Sequence, residues 1–147
     1  GNHIGRCAVP LVLRQIMAQA PVVWVEVPFE ARVARIERDY VVAQHADFVT
    51  VFGDEQGDAA FRAHLLGSLA KIAQRLGGER YQRLQGIMAA ALATPGVGDL
   101  ALHREWVTAL LSGYYDPMYA YQHHQKADRI TFVGDAAEVL GYLRAMG

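Results

Sequence analysis

Val22-Val23-Trp24-Val25-Glu26-Val27-Pro28-Phe29-Glu30-Ala31-Arg32 is the stretch on which the fold turns. Its first six residues are β-branched or aromatic at all but one position and apolar on both faces. That is the pattern of a strand buried on two sides, as in a parallel sheet. Pro28 ends the strand and suits the start of a helix. Val33, Ile36, Tyr40 and Val41 then fall at helical spacing, which predicts a helix over residues 29–45. Arg32, Arg35 and Arg38 lie mainly on its other side. In open α/β sheets, ligands bind beyond the carboxyl ends of strands. Glu26 stands at such an end, with Arg32 and Arg35 one and two turns into the following helix. Arginines placed there can take phosphate oxygens in bidentate pairs, so Glu26, Arg32 and Arg35 are candidates for a phosphate or diphosphate site. The plainer alternative is a solvated face on which Arg35 pairs with Asp39 one turn away.

Before this stretch, residues 9–18 read as a short helix through Leu11, Ile16 and Met17, stopped by Ala20-Pro21. Downstream, Phe52-Gly53-Asp54-Glu55-Gln56-Gly57 reads as a polar, glycine-bounded loop. Phe61, Leu65, Leu69, Ile72 and Leu76 form an apolar stripe that Gly77-Gly78 terminates. A second stripe, Tyr81, Leu84, Ile87, Met88 and Leu92, ends at Thr94-Pro95-Gly96. Asp99 is placed to cap a third helix carrying Leu102, Trp106, Leu110 and Leu111. Residues 129–133 read as a strand, Gly134-Asp135 as a turn, and residues 136–145 as a closing helix. Two short strands do not make a stable sheet alone. The expectation is therefore an incomplete parallel sheet whose other strands lie upstream, carrying a helical insertion at about residues 58–125. The start at Gly1-Asn2-His3-Ile4-Gly5, without Met, reads as the middle of a longer protein.

The chain has 147 residues, 52% of them hydrophobic and 20% charged, enough for one domain with a real core. A net charge of -1 gives no global basic field, so any nucleic-acid contact must use a local patch. A single cysteine, Cys7, rules out an internal disulfide framework and a Cys-rich zinc site, and fits a reducing cytoplasm. It reads as a small buried residue. The longest apolar run is too short to span a bilayer, and no membrane association is expected. The adjacent His123 and His124 diverge on a helix and lack a partner at ligand spacing, so no metal site is expected. There is no phosphate-loop motif and no nucleophile constellation, so no residue is assigned as catalytic.

Lys71, Arg75, Arg80 and Arg83, interleaved with Tyr81, form a basic strip around Gly77-Gly78. It can follow a phosphate backbone, or simply complement a helix dipole. Tyr114-Tyr115-Asp116-Pro117-Met118-Tyr119-Ala120-Tyr121-Gln122 sets four tyrosines around an Asp-Pro step that should interrupt the preceding helix. Tyrosine offers a flat apolar face and a hydroxyl needing a partner, so the run suits either a stacking platform or a structural plug. Tyr114 is expected to continue the apolar stripe, with some of Tyr115, Tyr119 and Tyr121 facing a ligand groove.

Several segments together carry a resemblance: Asn2-His3-Ile4-Gly5 with Pro10, residues 26–32, Tyr40-Val41, Gly53-Asp54-Glu55-Gln56-Gly57, and Leu76-Gly77-Gly78-Glu79-Arg80-Tyr81. His103-Arg104-Glu105-Trp106, the tyrosine run through Gln122 and Phe132-Val133-Gly134-Asp135 complete it. In this order they resemble the C-terminal part of the bacterial tRNA 2-selenouridine synthase family. The resemblance covers nearly the whole chain. It implies a P-loop-type, helix-rich α/β domain, with a Walker A motif and a rhodanese-like domain upstream. It also implies that the full-length protein converts wobble 2-thiouridine to 2-selenouridine with selenophosphate, through an S-geranyl intermediate made from geranyl diphosphate. Cys7 does not match the rhodanese cysteine, and isolated catalysis by this chain is not expected. The resemblance strengthens Arg32, Arg35 and Glu26 as the phosphate candidates. It makes Lys71, Arg75, Arg80, Arg83, Tyr115, Tyr119, Tyr121 and Gln122 candidates for holding the tRNA anticodon arm, whose single-stranded bases stack on aromatics. The alternatives are a non-catalytic helical tRNA-binding module and part of a P-loop-type small-molecule phosphotransferase.

Overall fold

The computed structural model describes residues 3–4 and 7–147, so Asn2 and Gly5 of the first matching segment lie outside the described residues. The chain divides into two compact units. One holds the chain up to Val27 together with Ala120–Gly147, and the other is Pro28–Tyr119.

In the first unit, β1 (His3–Ile4) and β2 (Cys7–Ala8) form an antiparallel hairpin, followed by α1 (Leu11–Gln19). The strand predicted at 22–27 is β3 (Val22–Val25), and it pairs in parallel with β4 (Ile130–Gly134). Val23 stands opposite Phe132 and Val25 opposite Gly134, and the Glu26 N–H continues the ladder to the Gly134 carbonyl at 2.8 Å. Asp135 starts α9 (Ala136–Met146) with a full capping box. Its carboxylate accepts from the Ala137 and Glu138 N–H groups, while Glu138 accepts from the Asp135 N–H. Phe132 stacks on Tyr142 with ring centroids 4.4 Å apart.

Two expectations fail here. The strand is not buried on both faces, because Val25 is 46% exposed: among the described residues β3 has one partner strand and no full covering layer. Cys7 is exposed rather than buried, since it lies in a two-residue strand that no element encloses.

The second unit is helical and contains most of the core. It runs α2 (Phe29–Ile36), a π-helical segment Glu37–Ala43, α3 (Gln44–Phe52), α4 (Asp54–Ala70), the short α5 (Ala73–Leu76) and α6 (Gly78–Ala91). After a loop come α7 (Leu100–Leu110), a second π-helical segment Leu111–Tyr115, and the start of α8 (Asp116–His124), whose residues from Ala120 on belong to the first unit. The predicted apolar stripes come together, with Val33, Phe61, Leu65, Leu69, Leu84, Met88, Trp106 and Val107 buried in one cluster.

Three local expectations are corrected. Residues 52–57 are not a loop, because α4 starts at Asp54 and only Gly53, at φ +79°, separates it from α3. Gly57 then lies at the contact of the two helices, where a Cβ would come 2.7 Å from the Val49 Cα. These glycines serve a tight helical hairpin. The stripe from Phe61 to Leu76 is interrupted at Lys71-Ile72, where Ile72 leaves the helical region (φ −107°, ψ 5°). Finally, Asp116-Pro117 does not break the helix. Asp116 stays right-handed helical and its N–H reaches the Leu111 carbonyl across a wide π turn. That turn comes just before the missing proline donor, and the Asp116 carboxylate is held by Arg32.

Candidate functional site

Helix α7 organises the second unit. Asp99 caps it, accepting from the Ala101 N–H at 2.8 Å and the Leu102 N–H at 3.2 Å, as its position in the sequence predicts. Because residues three and four apart share a helix face, α7 presents two different surfaces. Arg104, Glu105 and Thr108 look one way; Trp106, Val107 and Leu110 look the other.

The first surface faces α6 across an open groove of about 590 Å³. Arg80 and Arg83 line it from α6, Arg104 and Glu105 from α7, and Ser112 and Gly113 from the π turn. Arg80 donates to the Gly113 carbonyl at 2.7 Å, which occupies one of its donors and fixes its position. Arg104 is forked onto Glu37, with Nε to Oε2 at 2.9 Å, and this pairing holds its guanidinium above the ordinary arginine range. Arg83 is exposed and makes no ion pair among the described residues. With Glu37 paired to Arg104, the three lining cations face two carboxylates, and the remaining excess of positive charge rests on Arg80 and Arg83.

The second surface closes a pocket of about 460 Å³ with a mostly apolar wall. Leu65, Leu69, Ile72, Met88 and Leu110 supply much of that wall, and Tyr40, Tyr115 and Tyr119 supply aromatic rings. Tyr115 stacks on Tyr119 at 6.3 Å and meets Tyr114 edge-on at 4.9 Å. Burial pushes the Tyr115 phenol up, with Tyr114 and Tyr119 adding to the shift, so its hydroxyl stays a donor at neutral pH.

Behind that wall His103 is fully buried. The Trp106 indole N–H donates to its Nδ1 at 2.9 Å, so the ring proton sits on Nε2 and is given to the Val97 carbonyl, also at 2.9 Å. Burial lowers the His103 pKa against the opposing effect of that carbonyl, and the ring is neutral. A second pair lies elsewhere in the unit. His45 Nε2 is 2.7 Å from Asp58, and the other oxygen of Asp58 accepts from the Gly96 N–H at 2.8 Å. These two bonds hold the Asp58 carboxyl below its usual range.

The sequence candidates separate as follows. Arg80 and Arg83 share the groove, whereas Lys71 and Arg75 are exposed near the break between α4 and α5 and do not line it. Tyr115 and Tyr119 line the pocket; Tyr121, exposed, and Gln122, half-buried, belong to the other unit. Arg32 is forked onto Asp116, with Nη2 to Oδ2 at 3.0 Å, and its guanidinium lies 5.3 Å from the Phe29 ring centre. Arg35 is exposed. The alternative pairing with Asp39 is not observed among the described residues; the neighbouring Arg38 donates to that carboxylate at 2.7 Å. Glu26 is exposed just past β3, in the first unit. No group of metal-ligating side chains occurs among the described residues. No helix of the described residues is long and apolar enough to cross a membrane. Sequence reasoning named Tyr40 and Arg104 only within a helical pattern or a matching segment, and assigned no site role to them or to Glu37 or Gln44. The available signal for Arg104 and Glu37 was opposite charge on two amphipathic helices, which spacing along one chain does not connect.

Comparisons with known proteins agree with one another. The family described as the tRNA 2-selenouridine synthase AAA domain matches residues 1–147. The tRNA 2-selenouridine synthase of Azotobacter vinelandii is 57% identical over 142 residues, which cover 96% of this chain and 38% of that protein. The protein of the same name from Verminephrobacter eiseniae is 53% identical over 146 residues, 99% of this chain and 40% of its own length. One from Pseudomonas aeruginosa is 52% identical over 145 residues, 98% and 39%. The chain thus spans about 40% of the length of these curated relatives. No solved structure matches it. A helix-rich α/β chain with a small parallel sheet, matched from end to end, it belongs to the tRNA 2-selenouridine synthase AAA domain family.

Proposed function

We propose that this chain is the RNA- and phosphate-handling part of a tRNA-modifying selenotransferase. The full-length enzyme would replace the sulfur of wobble 2-thiouridine with selenium from selenophosphate, by way of an S-geranyl intermediate formed from geranyl diphosphate. The observation that carries the reading is the convergence of Arg80, Arg83 and Arg104 on one groove between α6 and α7. A protein with net charge -1 has no general field for RNA; a local cluster of guanidinium groups beside serine and threonine hydroxyls provides one. In this reading the anticodon arm lays its phosphates along the groove. Lys71 and Arg75 extend the contact as outlying cations, and Tyr121 and Gln122 are further candidates of the other unit.

The diphosphate role falls to Arg32 and Arg35, one helical step apart on α2. Arg32 has its guanidinium on a carboxylate, so a phosphate taken there would replace Asp116 in the same fork geometry. Glu26, at the carboxyl end of its strand, is proposed only as an orienting acceptor. The uncovered apolar side chains of α1, such as Val12 at 66% and Ile16 at 61% exposure, support the expectation that further parts of a P-loop-type domain cover this helix in the full-length protein.

The test is binding of an anticodon stem-loop and of inorganic diphosphate to the full-length protein. Arg83→Ala should weaken RNA binding and leave diphosphate binding unchanged. Arg32→Ala with Arg35→Ala should do the reverse. Equal loss of both ligands in both variants would refute the division of roles.

A further inference from the structure

We infer that the second π turn, Leu111–Tyr115, couples the two anion sites, so that an anion at Arg32 and an anion at Arg80 strengthen each other's binding. Guanidinium groups from two different helices hold this turn. Arg80 of α6 donates to the Gly113 carbonyl at 2.7 Å. Arg32 of α2 forks onto the carboxylate of Asp116, the residue that follows the turn, with Nη2 to Oδ2 at 3.0 Å. Pro117 accounts for the first contact. In a regular helix the Gly113 carbonyl would accept from the N–H of residue 117, which proline lacks. Arg80 supplies the donor instead. The Asp116 N–H meanwhile reaches back five residues to the Leu111 carbonyl, the wide spacing that defines a π turn. Such turns are rare and concentrate at functional sites. Arg32, Arg80, Gly113 and Asp116 all belong to the Pro28–Tyr119 unit.

Both clamps are made by groups that an anion would claim. A phosphate oxygen competes well with a neutral carbonyl for Arg80, because charge-assisted hydrogen bonds are roughly twice as strong as neutral ones. A diphosphate at Arg32 replaces the Asp116 carboxylate. Taking either arginine releases one end of the turn. Asp116 lies only three residues after Gly113, so each clamp keeps the other's partner in place, as one linked contact raises the effective concentration of the next. With one clamp gone, the remaining arginine is given up to its own ligand more readily. The turn is thus a two-state element, held or released, that both sites bias. Two anions in one unit would otherwise repel each other and bind less well together. The sign of the coupling therefore separates this link from plain electrostatics. The coupling rests on the proposed function for the identity of its two ligands, RNA and diphosphate.

The test is a binding cycle on the full-length protein with an anticodon stem-loop and inorganic diphosphate. Saturating diphosphate should tighten stem-loop binding by about fivefold, and by linkage the stem-loop should tighten diphosphate binding by the same factor. Asp116→Asn loosens the clamp on Arg32. It should give, without diphosphate, the tighter stem-loop binding that wild type reaches only with it, and added diphosphate should bring no further gain. Glu105→Gln removes a negative charge from the groove without altering either clamp, and should keep the full coupling. In the Arg32→Ala/Arg35→Ala variant the loss of two positive charges opposes the release, so its RNA affinity stays near that of wild type. Amide exchange at residues 113–116 should quicken when diphosphate alone binds, a readout that needs no variant. A coupling factor of one or less in wild type, or full coupling in Asp116→Asn, would overturn the inference and leave the division of ligands standing. If diphosphate does not bind wild type, the proposed phosphate role is wrong. Stem-loop affinity in Asp116→Asn then decides the link by itself, and an unchanged value overturns it. Failure of wild type to bind the stem-loop refutes both statements.

Discussion

The groove and the pocket share one helix and differ in almost everything else. On the groove side, α7 offers Arg104, Glu105 and Thr108, side chains that keep their charges and hydroxyls in water. On the pocket side it offers Trp106, Val107 and Leu110, which close over an aliphatic wall. A single amphipathic helix in a helical unit can thus border two cavities of opposite character. Its polar face carries charged side chains that salt screens, while its apolar face is built partly into the core and partly around the pocket.

Perturbing the two sides separately should give different phenotypes. Trp106→Ala strikes the pocket wall, the core and the His103 hydrogen bond together, and should cost roughly 3–5 kcal/mol of stability in urea unfolding. A cost below about 1 kcal/mol would mean that the pocket wall is not part of the core. Arg83→Glu should lower anticodon stem-loop affinity by about tenfold or more while leaving the unfolding midpoint unchanged. If stability falls instead, the groove arginine is structural.

Acidification is the next probe, read through His103 by comparison with a variant that lacks its imidazole. The folded pKa of His103 is depressed by burial, so below the ordinary histidine value of about 6.5 the unfolded chain binds the proton more readily. Stability should be full above that pH and decline as pH falls through it, by up to about 1.4 kcal/mol per unit from this one group. Urea midpoints at pH 7.5, 6.5 and 5.5, compared with those of His103→Gln, measure the difference. Parallel curves would show that His103 does not carry the dependence. The smallest effect is expected from Arg104→Ala: the arginine side of its ion pair is 54% exposed although Glu37 is only 18% exposed, so the loss of stability should stay within about 1 kcal/mol while RNA binding weakens.

Much of this architecture was legible in the residues. The strand at 22–25, the capping residue Asp99, and the stripes through Phe61, Leu84 and Trp106 each encode a local rule that packing did not override, whereas Asp135, read only as part of a turn, caps the last helix. Where spacing misled, a tertiary contact had decided the matter. Gly57 looks like loop punctuation and is a helix-crossing glycine, because its missing Cβ lets α3 and α4 touch. Asp116-Pro117 looks like a helix end and continues one, because a π turn and Arg32 accommodate it. The candidate site was half legible. Arg80 and Arg83 are close in sequence, but Arg104, which joins them, comes from another helix, and the pocket gathers side chains from residue 36 to residue 119. No periodicity along one segment connects such positions.

If charge acts on one side of α7 only, salt must distinguish the two sides. The decisive quantity is the slope of log Kd against log salt for an anticodon stem-loop, in wild type, Arg83→Ala and Ile72→Phe/Leu110→Phe. The slope should shrink by about 0.7–0.9 in Arg83→Ala, the share of a single neutralised phosphate, and stay unchanged in the pocket-filled variant. An unaltered slope in Arg83→Ala, or an equal reduction in both variants, would rule out a one-sided role for charge.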